Sequence, residues 1–215
     1  MIIELSKENS ILSQFISELR NVNVQKDSMR FRRNLERIGE IFAYEISKKL
    51  EWKTKEITTP LGVSKMVELA QQPVLTTILR AGLPLHQGLL NYFDKAENGF
   101  ISAYRKHLTE HTFEIVLQYS ACPDVNGKVL ILSDPMLASG HSMIASYESI
   151  LKLGKPKHIH IAAVIGSRAG VDYVRKNLPD NVTIWLGAID PDLNDHSYIV
   201  PGLGDAGDLA FGVKL

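Results

Sequence analysis

The sequence predicts an α/β protein: a single domain over residues 1–215, with a mostly parallel central sheet flanked by helices over 73–190. Three observations predict it. From Pro73 onward, short apolar runs rich in Val, Ile and Thr recur, as parallel strands covered on both faces require. Segments of helical periodicity separate several of these runs, and strands alternating with helices favour parallel pairing. The chain has 215 residues, enough for one sizeable core, and shows no repeat, low-complexity tract or obvious linker.

Residues 1–52 read as an N-terminal helical arm. "SKENSILSQFISELR" sets Ile11, Phe15 and Leu19 at helical spacing, with Ser6 as the expected cap. "DSMRFRRNLERIGEIFAYEISKKL" carries a stripe of Phe31, Leu35, Ile38, Phe42 and Ile46. Its arginines Arg30, Arg32, Arg33 and Arg37 are read mainly as a solvated face. Strands are expected at "VLTTILR", "GFISAY", "FEIVLQY", "KVLILSD", "HIHIAAVIG" and "VTIWLGAID". Helices are expected at "LPLHQGLLNYF", "HSMIASYESILKL" and "RAGVDYVRKNL". Residues 190–215 hold "IDPDLNDHSYIVPGLGDAGDLAFG", rich in Gly, Pro and acids yet apolar at "YIVPGL", which argues for a functional loop over disorder.

Composition narrows the function. Lys+Arg and Asp+Glu balance at 24 each, so no basic field recommends nucleic acid. No segment approaches the roughly 20 apolar residues of a membrane span. The N-terminus lacks a secretory pattern. One cysteine, Cys122, excludes an internal disulfide and is read as an ordinary thiol. We therefore expect a cytoplasmic protein with neither nucleic-acid nor membrane partners.

The chemistry sits where strands pass into helices. In "VLILSDPMLASGHSMIASYESILKLG", Asp134 ends an apolar strand, and "ASGHS" enters a helix. A helix N-terminus offers free amides and a positive dipole end to phosphate. Gly140 permits close backbone approach, and Ser139 and Ser142 add hydroxyl donors. An ordinary helix cap explains the same residues, and neither phosphate-loop fingerprint, G-x-x-x-x-G-K-[ST] nor G-x-G-x-x-G, is present. Two further strand ends favour a site. Arg80 follows "VLTTIL" and Arg105 follows "FISAY", and both suit a fork on phosphate.

These residues together resemble the uracil phosphoribosyltransferase family. The family's loop "DPMLATGGS" matches "DPMLASGHS" at 134–142, and "LRAGL", "YR" and the terminal "DxxLNxHxYIVPGLGDAGDxxFG" follow its pattern. The likeness extends into "RFRRNLERIGEIFAYE" and so covers nearly the whole chain. It implies a type I phosphoribosyltransferase fold with a C-terminal hood over the base. It implies transfer of ribose 5-phosphate from phosphoribosyl diphosphate to N1 of uracil, giving UMP and diphosphate, with Mg2+ bound mainly through the ligand diphosphate. By residue match, Arg80 and Arg105 would hold the diphosphate. Asp134, Pro135, Met136, Leu137, Ala138, Ser139, Gly140, His141 and Ser142 would bind the ribose and its phosphate. Ile199, Gly204, Asp205 and Ala206 would hold uracil, with Asp205 also facing the donor. Catalytic roles fall to Asp134, Asp205 and Arg105. The resemblance further implies a homodimer or higher oligomer, with the N-terminal arm a candidate contact, and makes GTP a candidate effector.

The departures are local. His141 stands at the family's second loop glycine; a ring turned to solvent is the favoured reading, with a phosphate donor or an obstruction as alternatives. Pro84, His86 and Gln87 replace "GMxD", Leu209 a basic residue and Val213 a threonine. His158 and His160 share one strand face and are read as packing or surface residues, His196 as a loop-shaping one. Asp190, Asp192 and Asp195 are read mostly as solvated loop acids. The alternatives to the uracil enzyme are a weakened, phosphoribosyltransferase-fold regulator sensing UMP or the ribosyl donor, and an enzyme for another base.

Overall fold

The computed structural model describes residues 1–107 and 113–214, with side chains throughout except at 104–107 and 113–117. The chain opens with strand β1 (Ile2–Glu4), a 3-10 turn over Leu5–Lys7, and helices α1 (Ile11–Arg20) and α2 (Ser28–Ser47). A hairpin follows, β2 (Trp52–Thr59) and β3 (Gly62–Leu69). The α/β core runs β4 (Val74–Leu79), α3 (Leu83–Tyr92), β5 (Glu97–His107), β6 (Phe113–Ala121), β7 (Val129–Ser133) and β8 (Met136–Leu137). It continues through α4 (His141–Leu151), β9 (His158–Ser167), α5 (Arg168–Asn177) and β10 (Val182–Asp190). The C-terminal segment holds β11 (Asp192–Leu193), β12 (Ile199–Val200) and α6 (Ala206–Phe211).

The main sheet has the order β1-β10-β9-β7-β4-β5-β6, with β8 paired to β9. Its pairings are parallel except at one edge, where β6 runs antiparallel to β5. The sequence reading treated "FEIVLQY" as another parallel strand. The β5–β6 connection is too short for a parallel crossover, which needs a dozen residues or more. The expected helical arm, residues 1–52, holds helices α1 and α2 and a short strand before them. Residues 2–4 join the sheet beside β10, and the amino terminus donates to Val182 O at 2.9 Å. The helix starts later than Ser6: Ser10 is the residue before α1, and Ser6 lies in the 3-10 turn. For α2, Asp27 caps the helix by accepting from the Arg30 amide at 3.0 Å.

Two apolar layers sandwich the sheet. On one face α1, α2, α3 and α6 bury Leu19, Phe31, Phe42, Leu89 and Ala210 against Ile131, Val164 and Trp185. On the other, α4 and α5 bury Met143, Ile150 and Val174 against Leu130, Leu132 and Ile161. Strand β9, buried along nearly its full length, is covered on both faces as its unbroken apolar run anticipates. The β2–β3 hairpin pairs with no strand of this sheet and leaves Trp52, Leu61, Val63, Met66 and Val67 exposed.

Candidate active site

The sheet order sets the site. From β4 the chain steps to β5 on one side, then returns to place β7 on the other and builds outward through β9 and β10. The strand order thus reverses between β4 and β7. Ligands of open α/β sheets bind in the crevice beyond the strand ends at such a reversal. Arg80 directly follows β4, and Asp134 directly follows β7, so the two flank it.

The loop from Asp134 to Gly140 is preformed. The Asp134 amide donates to Ala162 O at 3.1 Å, and its Oδ1 accepts from the Met136 amide at 3.2 Å. Pro135 O accepts from the Ile165 amide at 3.0 Å, and Met136 and Leu137 pair with Ile165 and Gly166 as β8. Ser167 Oγ donates to Ala138 O at 2.6 Å. Residues 134–138 of the loop are therefore tied to β9, whose last residue Ser167 also caps α5.

The loop then closes on Gly140, whose φ of +84° lies in the left-handed region where side chains are costly. A Cβ there would stand 2.7 Å from Val174 Cγ2 and 3.0 Å from Gly170 O. Gly140, not a serine, takes the cap position before α4, and a glycine brings no side-chain acceptor to the first-turn amides. Ser142, in that first turn, is half-buried. His141 is exposed, but its ring is not simply in solvent: it packs on Tyr173 of α5, centroids 4.5 Å apart, and its Nδ1 lies 3.0 Å from Ser139 Oγ.

Across the crevice, Arg80 is joined to the C-terminal segment. Its Nη2 donates to Asp208 Oδ1 at 3.0 Å and to Gly212 O at 3.2 Å. Lys214 Nζ bridges Asp205 Oδ2 at 3.0 Å and Asp208 Oδ1 at 3.8 Å. Asp205 caps α6, its Oδ1 accepting from the Asp208 amide at 3.0 Å. Burial works against its charge, but the Asp208 amide and Lys214 outweigh it and hold the carboxyl below its ordinary range. Arg80, Asp205, Asp208 and Lys214 thus form one charged network. The sequence reading gave Asp208 and Lys214 no role, although Asp208 stood in the quoted terminal run. Arg105 lies on β5 opposite Ile115; its side chain is outside the described residues.

The residues expected to hold the base lie in the same C-terminal segment. Ile199 is buried on β12, Leu203 is buried beside it, and Ala206 opens α6. Gly202 and Gly204 take positive φ, +61° and +91°, and the Val200–Pro201 peptide is cis. Asn194 Oδ1 accepts from the amides of His196 and Tyr198, which makes the "LNDHSY" stretch a self-capped turn. Asp190 is the correction here: read as solvated, it is 5% exposed and paired with Arg20. Among the other departures, His86 is buried with Nε2 2.8 Å from Asn98 Oδ1, and burial lowers its pKa. Gln87 donates to Asn91, and Leu209 packs against the core. His158 and His160 share a face as expected, their rings 4.6 Å apart. Burial pushes the Cys122 thiol above its ordinary pKa, in keeping with an unreactive thiol.

Comparison with known proteins places these features. The sequence model of the uracil phosphoribosyltransferase family matches residues 6–213. A uracil phosphoribosyltransferase of Porphyromonas gingivalis is 56% identical over 214 residues, covering 100% of this chain and 99% of that one. One from Methanothermobacter thermautotrophicus is 38% identical, over 95% of this chain and 93% of its own. Among solved structures, a protein of Aquifex aeolicus superposes with TM-score 0.88 at 30% identity, covering both chains fully. A hypoxanthine-guanine phosphoribosyltransferase of Bacillus anthracis shares the fold at TM-score 0.51 and 16% identity, over 74% of this chain and 81% of its own.

Proposed function

This chain belongs to the uracil phosphoribosyltransferase family, and from that premise we propose how its own residues make UMP from uracil and phosphoribosyl diphosphate. The observation that carries the reading is the loop 134–140, tied to β9 and opening onto the N-terminus of α4 at the switch point. A 5-phosphate would take the amides that open α4 and the hydroxyls of Ser139 and Ser142. Asp134 would hold the ribose hydroxyls. Arg80, and Arg105 by residue match, would take the diphosphate.

Uracil would be read by main-chain groups of Ile199, Gly204 and Ala206. Its edge alternates carbonyl acceptors with an N–H donor, and amide and carbonyl groups a few residues apart complement it. The reaction breaks the C1′–oxygen bond, whose electron pair leaves with the diphosphate, and forms C1′–N1 on the opposite face. The N1 proton is released as that bond forms. Arg80 stabilises the departing charge, and to reach it must exchange Asp208 for the ligand. Asp134 and Asp205 flank a cation-like ribose, and positioning supplies most of the rate.

Magnesium would enter with the diphosphate, since it keeps several waters and asks proteins for few carboxylates. Asp205, ionised through its amide and lysine partners, and Asp134 are the oxygen donors that fit it. Bound, it would neutralise leaving-group charge. The exposed, unpartnered β2–β3 hairpin supports a homo-oligomer, and we place the enzyme in the cytoplasm. Among the described residues, no helix is long and apolar enough to cross a membrane. GTP remains an effector to titrate. No observation favours the regulator reading.

The test is UMP formation from labelled uracil, phosphoribosyl diphosphate and magnesium, with cytosine, adenine and hypoxanthine alongside and His141→Gly in parallel. Turnover restricted to uracil is the expected result. Activity only in His141→Gly would show that the ring obstructs the site. Silence in both would overturn the assignment.

A further inference from the structure

We infer that Arg20 and Asp190 are positioning residues for uracil, acting through the Gly202 peptide. This rests on the reading of 199–206 as the base loop. Arg20 is the last residue of α1, and Asp190 ends β10, 170 positions along the chain. The guanidinium meets the carboxylate in a two-pronged pair: Nη2 to Oδ1 at 2.7 Å and Nη1 to Oδ2 at 2.8 Å. Between them lies Gly202. Its amide donates to Asp190 Oδ2 at 3.0 Å, and its carbonyl accepts from Arg20 Nη1 at 2.9 Å. Both polar groups of one residue are thus held by one ion pair.

A second tie runs alongside. Gln25 Nε2 donates to Leu19 O at 2.7 Å, at the end of α1, and to Leu203 O at 3.1 Å. Consecutive carbonyls of the base loop, Gly202 and Leu203, are therefore fixed from the end of α1 and the turn that follows it. Gly202 itself is irreplaceable at φ +61°, because a Cβ would meet Ile199 O at 2.0 Å.

The arrangement matters because of how uracil is read. Side chains can change rotamer to follow a ligand; main-chain donors and acceptors move only with the backbone. The residues flanking Gly202 on either side, Ile199 and Gly204 with Ala206, are those assigned to the base. A guanidinium fork fixes a direction as well as a charge, which a lysine cannot reproduce. Arg20 also borders an open cleft of about 450 Å³ with Ser13 and Ser17, so a shorter side chain leaves wet space there, not a dry void.

The experiment compares the parent chain with Arg20→Lys, Arg20→Met and the double variant Arg20→Met/Asp190→Asn, which leaves no unpaired buried charge. Steady-state kinetics vary uracil and phosphoribosyl diphosphate separately, and amide hydrogen exchange follows the peptide over 199–206. We expect KM for uracil to rise about tenfold or more in Arg20→Lys, as small misplacements in a site do. KM for phosphoribosyl diphosphate should hold, and exchange at 199–206 should quicken. An unchanged uracil KM, or an equal rise in both KM values, would overturn the inference, as would exchange at 199–206 like the parent's. An inactive parent would instead count against the uracil reading, with the exchange still deciding whether Arg20 holds the loop.

Discussion

Replacing Gly140 by alanine tests the phosphate loop most directly. Two costs add. An L residue at φ +84° loses about 1–2 kcal/mol of backbone energy. The new Cβ would stand 2.7 Å from Val174 Cγ2 and 3.0 Å from both Gly170 O and Tyr173 Cδ1, inside ordinary contact on three sides. Overpacking of this kind costs about 1–3 kcal/mol. The sum is about 2–5 kcal/mol. For a chain of 215 residues, each kcal/mol moves Tm by about 2–4 °C, so a fall on the order of 10 °C is expected. Calorimetry supplies Tm, and kinetics supply KM for phosphoribosyl diphosphate, which should rise while KM for uracil stays near the parent's. Gly140→Asn separates the two costs, because asparagine accepts left-handed backbone more readily but is larger. A Gly140→Ala protein melting within about 1 °C of the parent, with KM for the ribosyl donor unchanged, would refute the reasoning.

Other outcomes follow from the same geometry. Burial above all, then neighbouring His158, lowers the His160 pKa to about 3, and the neutral ring accepts from Trp185 Nε1 at 3.0 Å. An unfolded histidine binds its proton near 6.5, so the unfolded chain holds more protons between there and about 3, and stability is lost as the pH drops through that window. His160→Gln should flatten this slope in acid melts; an identical slope would count against it. Asp205→Asn keeps an acceptor for the Asp208 amide but loses the Lys214 pair, so Tm should move little while turnover drops at least tenfold, about 1.4 kcal/mol of transition-state stabilisation. Full turnover in a folded Asp205→Asn protein would remove Asp205 from the mechanism.

Much of this was legible in the residues. The apolar runs at 74–79 and 158–167 mark strands because burial on both faces leaves no polar alternation. The strand-to-helix junctions at Arg80 and Asp134 point to the candidate site because topology places such ends together. What stayed hidden was pairing at a distance. Three residues cannot display strand periodicity, so β1 reads as the lead-in to a helix. The hairpin 52–69 is largely exposed and meets the core only at Leu69, and its side chains lack the alternation that burial on one face imposes. Asp190 looks like any loop acid until Arg20 is found against it, and Arg80 looks free until Asp208 is. Propensity carries no information about a partner more than a hundred positions away.

The place of β1 has a consequence for synthesis. Ile2–Glu4 emerge from the ribosome some 180 residues ahead of their partners, Ile184–Leu186. Contacts this far apart in sequence form slowly, after shorter loops have closed. A growing chain can assemble the β4–β7 centre while its first strand waits beside an incomplete edge. Arrival of β10 then docks β1 and brings Asp190 to Arg20, the pair that holds Gly202 once the segment after β10 follows. The seam joined across the longest span of chain is thus also the one that anchors the loop proposed to read uracil, so that loop gains its hold only once this edge of the sheet is complete.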